Sequence, residues 1–211
     1  MIDLHMHSIF SDGVLIPSEL ARRAEFAGHR AIGITDHGDL SNIDFIIPRI
    51  VTIARELNRS LNLTVIPGIE ITHVPPDQIK TTVEKARELG AKIVLVHGET
   101  LVEPVAPGTN RAALDADIDV LAHPGLLTEE DAVKAKEKGI FLEISARKGH
   151  CLTNGHVAGL ARKVGAKLVI NTDFHEPGDL IDQNMAIQIV RGVGLTEQDF
   201  VKMQKNASTF L

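Results

Sequence analysis

A chain of 211 residues with 44% apolar and 24% charged side chains suits one domain with a real core, and no apolar run approaches the ~20 residues needed to cross a bilayer. The formal net charge is −6 with histidines neutral, and no basic block or stripe is present, so duplex nucleic acid is not an expected partner; three divalent cations would cancel that charge. The single cysteine, Cys151, cannot close an internal disulfide, and the start Met1-Ile2-Asp3-Leu4-His5 lacks the basic and apolar regions of a secretory signal, so a cytoplasmic location is expected.

The pattern alternates strand and helix from the first residues onward. An apolar strand is expected over Ile2–Ser8, a helix over Pro17–Ala27, and a second strand over Ala31–His37. Helix Ile43–Asn58, strand Thr64–Thr72, helix Pro76–Leu89 and strand Lys92–Gly98 follow. Glu103–Asp117 has no clear period and reads as a loop with a short helix. Strand Asp119–His123, helix Glu129–Lys138, strand Ile140–Ala146, helix Thr153–Val164 and strand Lys167–Asp173 come next. Helices near Leu180–Arg191 and Thr196–Asn206 end the chain.

Local signals support this reading. Pro17 and Thr128 open helices with acids in the first turn, and Gly28, Gly90, Gly139 and Gly165 each close a helical run just before a strand. Strand–helix alternation every 25–35 residues or so implies βα units and a parallel sheet. About seven strands fit either an open doubly wound sheet or a closed barrel.

The polar residues decide between the two. Nearly every strand ends in a metal-type ligand: His5 and His7, then Asp12; His37; Glu70; His97; His123; Asp173 and His175. In a parallel barrel all strand C-termini meet at one rim, where active sites lie. Along an open sheet the same side chains would be spread out, so closure is expected. His5/His7 and Asp173/His175 are i, i+2 pairs, and each pair presents two ligands to one side of a strand. Imidazole suits Zn, Mn or Fe, and a carboxylate can bridge two ions. Six of the ten histidines fall at or just past strand ends, whereas His29, His73 and His156 are read as structural.

These segments resemble the polymerase-and-histidinol-phosphatase (PHP) family. The resemblance is carried by Asp3-Leu4-His5-Met6-His7-Ser8, Ser11-Asp12-Gly13, Ile34-Thr35-Asp36-His37 and Gly68-Ile69-Glu70. His97, Ala122-His123-Pro124 and Asn171-Thr172-Asp173-Phe174-His175 complete it, in family order over almost the whole chain. It implies a distorted (β/α)7 TIM-like barrel, a single domain over residues 1–211, and a metal-dependent phosphoesterase with about three divalent ions. By resemblance, His5, His7, Glu70 and Asp173 hold one metal. Glu70 bridges to a second held by His97 and His123, and Asp12, His37 and His175 hold a third. Some family members have His where this chain has Asp12.

The expected substrate is a small phosphorylated metabolite, histidinol phosphate being the family candidate. A phosphodiesterase or exonuclease acting on nucleotides or single strands is the alternative, and a non-catalytic metal-binding module is a third reading. The absence of Trp and Tyr removes a tyrosine acid and leaves seven Phe as the aromatic platforms for bases. Strand six runs into Ser145-Ala146-Arg147-Lys148-Gly149-His150. There Arg147 is placed to grip phosphate, with Lys148 and His150 as helpers. Glu99 is expected to share the face of His97 and to support it. Cys151 reads as a small buried residue and Asp36 as structural.

Overall fold

The computed structural model describes residues 1–211. Its strands are β1 (Ile2–Met6), β2 (Ala31–Ile34), β3 (His37–Gly38), β4 (Thr64–Ile71), β5 (Ile93–His97), β6 (Val120–Ala122), β7 (Phe141–Ser145) and β8 (Leu168–Asn171). All pair in parallel in the order β1-β2-β4-β5-β6-β7-β8. The two-residue β3 continues the line of β2 after a break and pairs with β4, so the sheet has seven staves. The expected strand Ala31–His37 is therefore two pieces, interrupted at Thr35 and Asp36.

The sheet closes, or nearly so, at β1 and β8. Met6 and Phe174 form a bridge, with His7 N donating to Phe174 O at 2.8 Å and Phe174 N to His5 O at 3.2 Å. Below the bridge, side chains take over the seam. Leu4 N donates to Asn171 Oδ1 at 2.8 Å, and Thr172 N donates to Asp3 Oδ2 at 3.0 Å. The seam carboxyl of Asp3 is fully buried, and burial pushes its pKa up to about 7.

Eight helices surround the sheet: α1 (Pro17–Phe26), α2 (Ile43–Ser60), α3 (Pro76–Glu88), α4 (Thr109–Asp115), α5 (Glu129–Lys138), α6 (Asn154–Val164), α7 (Gln183–Gly192) and α8 (Glu197–Ala207). They begin where the local chemistry directs. Pro17 and Pro76 occupy first turns, Thr128 Oγ1 accepts Asp131 N, and Thr196 with Asp199 forms a capping box. Gly28, Gly90, Gly139 and Gly165 all adopt positive φ between 74° and 102° at helix ends. The longest helix, α2, buries Ile43, Ile46, Ile47, Ile50 and Ala54, a stripe with helical spacing, and each fully buried Ile is worth roughly 1.5–3 kcal/mol.

The core has two layers. Forty-three buried residues fill the space between sheet and helices, and eleven, including Ile2, Leu4, Ile66, Leu95, Val120 and Val169, form a second cluster inside the sheet. Strand parity then carries the inner line upward from apolar to polar: Ile66 to Glu70 on β4, Leu95 to His97 on β5, Phe141 to Glu143 on β7. On β1 the parity shifts. Asp3 pairs with Ile32 but Met6 with Ile34, so three steps oppose two, a β-bulge. It lets Leu4 join the apolar cluster while His5 and His7 turn to the buried polar floor above it. Gly33 lies opposite the bulge, and a Cβ there would stand 2.5 Å from Leu4 O.

Candidate metal centre

The strand C-termini converge as parity requires. His5 Nε2 lies 3.3 Å from Glu70 Oε2 and 3.6 Å from Asp173 Oδ1. His7 Nε2 lies 3.2 Å from Asp173 Oδ1 and 3.7 Å from Glu70 Oε2. Glu70 Oε1 faces His123 Nε2 at 3.4 Å, and its Oε2 faces His37 Nδ1 at 2.8 Å. Asp12 reaches in from the loop after β1, its Oδ2 at 3.1 Å from His175 Nε2 and 3.5 Å from His37 Nε2. Glu70 thus touches four histidines from the centre of the floor.

Two of these residues adopt backbone conformations that L side chains rarely occupy. His123 has φ 25° and Asp173 φ 53°. Both follow the last residues of short strands, and strain of this kind persists where the surroundings over-determine it.

Outer partners orient several rings. His5 Nδ1 is 3.0 and 3.2 Å from the two carboxylate oxygens of the buried Glu143 on β7. This carboxylate–imidazole pair leaves Nε2 aimed at Glu70 and Asp173, the arrangement that fixes the tautomer of a metal-bound histidine. His37 Nδ1 also meets Thr72 Oγ1 at 2.6 Å. Asp36 faces the other way, accepting Ser8 N at 2.7 Å, Ser8 Oγ at 2.8 Å and Ser11 Oγ at 2.8 Å, so it shapes the turn that delivers Asp12.

The charges are those of a carboxylate core wrapped in imidazole. Burial alone would raise Glu70, but the charges of His5 and His37 prevail and hold it well below the usual carboxylate range. Asp173 and Asp12 are likewise lowered against their burial, by His5 and His7 for the first and by His175 and His37 for the second. Burial drives His7 down to about 3 and lowers His123. Burial opposes charge on His5 and His37 as well, yet neighbouring carboxylates, Glu143 and Glu70 for His5 and Glu70 and Asp12 for His37, raise both, His37 to about 10.

Six buried atoms on the floor have no hydrogen-bond partner in the chain: His5 Nε2, both ring nitrogens of His7, Glu70 Oε1, His123 Nδ1 and Asp173 Oδ1. Several approach a neighbour at 3.2–3.7 Å, but outside hydrogen-bonding geometry. An unsatisfied buried polar atom costs about 1–3 kcal/mol, so the set is unfavourable unless something else binds it. Nitrogen and carboxylate donors with free lone pairs fit divalent transition ions. The ligand-type atoms fall into groups within 4.8 Å of one another: His5, His7 and Glu70; His5, His123 and Asp173; His7, Asp12, His37 and His175; His97, His123 and His150. His73, His97 and Glu103 make a further such group.

Other expected positions distribute as follows. Arg147 lines the cavity, its Nη1 donating to Asp173 O at 3.1 Å. His150 is buried in the site, while Lys148 lines only an adjoining outer groove. His29 is buried away from the site, and His156 Nε2 meets Leu127 O at 2.8 Å. Glu99 does not support His97; its Oε1 accepts Gly108 N and Asn110 N and ties its own loop together. Cys151 is exposed rather than buried. Glu103 and Glu143 belong to the site without having been singled out, and His73, read from the sequence as structural, instead lines the cavity with its Nε2 3.2 Å from Glu103 Oε2. Glu143 had a signal, a charge on the inner parity of an apolar strand. Glu103 sits in the aperiodic loop and had none.

A family model described as the PHP domain matches residues 3–187. An uncharacterized protein of Methanocaldococcus jannaschii is 50% identical over 199 residues, covering 93% of this chain and 91% of that protein. The DNA polymerase/3'-5' exonuclease PolX of Bacillus subtilis is 25% identical over 90% of this chain, which spans 36% of that protein's length. A Thermoanaerobacter sp. (strain X514) protein named a probable phosphatase is 25% identical, covering 93% of this chain and 88% of that protein. Among solved structures, a chain of an archaeal ribonuclease P with mature tRNA superposes with a TM-score of 0.73 at 18% identity, covering 100% of this chain and 89% of that one. A Listeria monocytogenes chain provisionally named a histidinol phosphatase superposes at 0.61 and 12% identity, covering 88% and 99%. At those identities the superpositions speak to the fold.

Proposed function

The chain belongs to the PHP-domain family and is a metal-dependent phosphoesterase, and from that premise we propose that it hydrolyses the phosphomonoester of a small metabolite, histidinol phosphate being the first candidate. The observation that carries this reading is the cavity over the floor. It encloses about 250 Å³ and is lined only by polar side chains, among them Asp12, His37, His97, Arg147, His150 and Asp173. That suits a phosphoryl group with a short polar appendage, and no Phe, Tyr or Trp lines it as a platform for stacked bases.

His5, His7, Glu70 and Asp173 would hold one divalent ion, Zn, Mn or Fe; Glu70 with His97 and His123 a second; and Asp12, His37 and His175 a third. When bound, such ions supply Lewis acidity toward a phosphoryl group and acidify water. Glu143 keeps the His5 ring in register. Glu70 compensates the charge of its surroundings from the centre. Arg147, at the cavity wall, offers planar paired donors to phosphate oxygens as negative charge develops on them. In the reaction the ester P–O bond breaks, a water oxygen joins phosphorus, and the alcohol leaves with a proton.

A phosphodiesterase or exonuclease is the second reading. It is favoured by an outer groove of about 490 Å³ that shares Asp12, Arg147 and His175 with the cavity and adds Lys148 beside Glu176 and Asp179, and by the relationship to the PolX exonuclease. The test is phosphate release from a broad monoester panel with Zn, Mn, Fe, Co and Mg supplied separately, alongside a simple diester and labelled single-stranded oligonucleotides. Monoester turnover is the expected result. Cleavage of diesters or oligonucleotides alone would move the assignment to the second reading. No turnover by metal-loaded protein would favour a non-catalytic module.

A further inference from the structure

The loop Gly98–Gly108 crosses the mouth of the site on the β5 side and is firmly held. Glu99 accepts Gly108 N and Asn110 N at 3.0 and 2.9 Å, and Asn110 returns hydrogen bonds to Glu99 N and Pro124 O at 3.0 and 2.8 Å in accepting and donating roles respectively. From that base the loop touches the segment after β7. Thr100 Oγ1 lies 2.8 Å from His150 Nδ1, and the Val102 methyls sit over Gly149, where a Cβ would come within 3.3 Å of them.

The tip of the loop delivers Glu103. Its Oε2 is 3.1 Å from His97 Nε2 and 3.2 Å from His73 Nε2, and its Oε1 is 3.3 Å from His150 Nε2. His150 stacks on His123 with ring centroids 4.1 Å apart, and the ligand atoms of His97, His123 and His150 lie within 4.8 Å of one another. The far nitrogens of two of these rings already face oxygen: His97 Nδ1 meets Gly98 O at 3.2 Å, and His150 Nδ1 meets Thr100 Oγ1. Each ring therefore turns an Nε2 lone pair toward the same space. A second contact that fixes the tautomer is the habit of metal-bound histidine. A plain ion pair would not need three imidazoles on one carboxylate.

We propose that His150 and the loop-borne Glu103 are metal ligands, completing with His97 and His123 the site on the β5–β6 side of the barrel. The inference rests on the metal-dependent reading above and adds two ligands to it. One comes from each of two loops, so the bound ion clamps the Gly98–Gly108 loop to the segment after β7. With Glu70, which faces His123 at 3.4 Å, the set is three imidazoles and two carboxylates, donors that suit Zn or Co, and the carboxylates offset the ion's charge.

The experiment uses the full chain loaded with Co²⁺ and desalted, as wild type, Glu103→Gln, His150→Phe and the surface control Glu130→Gln. Ions per chain are counted by elemental analysis, visible absorption reports the Co²⁺ coordination, and release to a chelator is timed. Glu103→Gln and His150→Phe should each lose one ion relative to wild type or release it at least about tenfold faster, with a changed visible spectrum. The metal-free melting temperature should stay put for Glu103→Gln, which changes one atom on a half-exposed side chain and keeps the test sound if His150→Phe folds poorly. Unchanged count, release and spectrum in Glu103→Gln, with metal present in wild type, would overturn the assignment and leave the wider metal reading intact. A wild-type chain that takes up no Co²⁺ would overturn both.

Discussion

Nη1 of Arg147 lies 2.7 Å from Nδ1 of His175, and both face the main-chain oxygen of Asp173, at 3.1 and 2.9 Å. Only one of the two can use that geometry fully. If Nδ1 accepts from the guanidinium, Nε2 carries the proton and donates to Asp12 Oδ2 at 3.1 Å. If Nε2 offers its lone pair to a metal, Nδ1–H donates to Asp173 O, and two donors then face each other across 2.7 Å. Loading the Asp12, His37 and His175 position would therefore push Arg147 off the ring and toward the cavity.

That coupling shapes the first prediction. Arg147 cannot itself ligate a cation. Arg147→Ala should leave ion content and melting temperature nearly unchanged and lower kcat/KM for phosphomonoesters by roughly 10²-fold or more, the scale of losing one charge-stabilising donor. Arg147→Lys should restore only part of it, because a point charge lacks the planar fork. Steady-state kinetics beside elemental analysis provide the check. Parent-like turnover in Arg147→Ala would make the residue a wall charge and nothing more.

Glu70 sits at 2.8–3.7 Å from four histidines, whereas His175 lies at the edge of the cluster. Glu70→Gln keeps the shape and removes the charge that the surrounding imidazoles and bound cations require. It should cost more ions per chain and more kcat/KM than His175→Ala does. The two variants need only be compared by metal count and turnover under one loading protocol. Near-parental values for Glu70→Gln would rule out a bridging role.

Much of this centre was readable from the order of residues, for a definite reason. Parallel strands all end at one rim, so ligand-type side chains at most strand ends, Glu70 and His97 included, have only one place to go. What could not be read depends on backbone detail. The β1 bulge allows Leu4 into the apolar cluster while His5 and His7 enter the buried polar floor. The positive φ values of His123 and Asp173 aim side chains that regular strand geometry would send elsewhere. Glu103 comes from a loop with no period at all, and its meeting with His150, 47 positions on, is a product of tertiary packing.

Metal uptake should release protons. The carboxylates around them push His5 well above the usual histidine range and His37 up to about 10, and an imidazole must give up its proton to bind a cation through that nitrogen. Both folded-state pKa values lie above the ordinary range, so the metal-free cluster keeps these protons until the pH rises through them. Affinity should accordingly climb as pH rises from 6 to 8 or so. Calorimetric titration with Zn²⁺ in buffers of different ionisation enthalpy counts the protons. A net release near zero at pH 7 would contradict the charge distribution described for the cluster.

His29 should set part of the acid limit of stability. It is buried between α1 and β2, and neither ring nitrogen has a partner. Burial, helped by the nearby chain terminus, lowers its pKa from 6.5 to about 4. The unfolded chain therefore takes up a proton at a pH where the folded chain cannot. The resulting stability is present in full above pH 6.5 and is lost as the pH falls toward 4. With one pKa unit equal to about 1.4 kcal/mol, lowering the pH from 7 to 5 should cost about 2 kcal/mol through this residue alone. His29→Leu removes the titrating group and keeps an apolar side chain in the space. Urea unfolding of the metal-free parent and variant at pH 7 and pH 5 isolates the contribution, since every other titrating group is common to both. The variant should lose less stability on acidification than the parent. Equal losses would mean that the His29 ring reaches water or a partner in solution, and the packing described between α1 and β2 would have to open there.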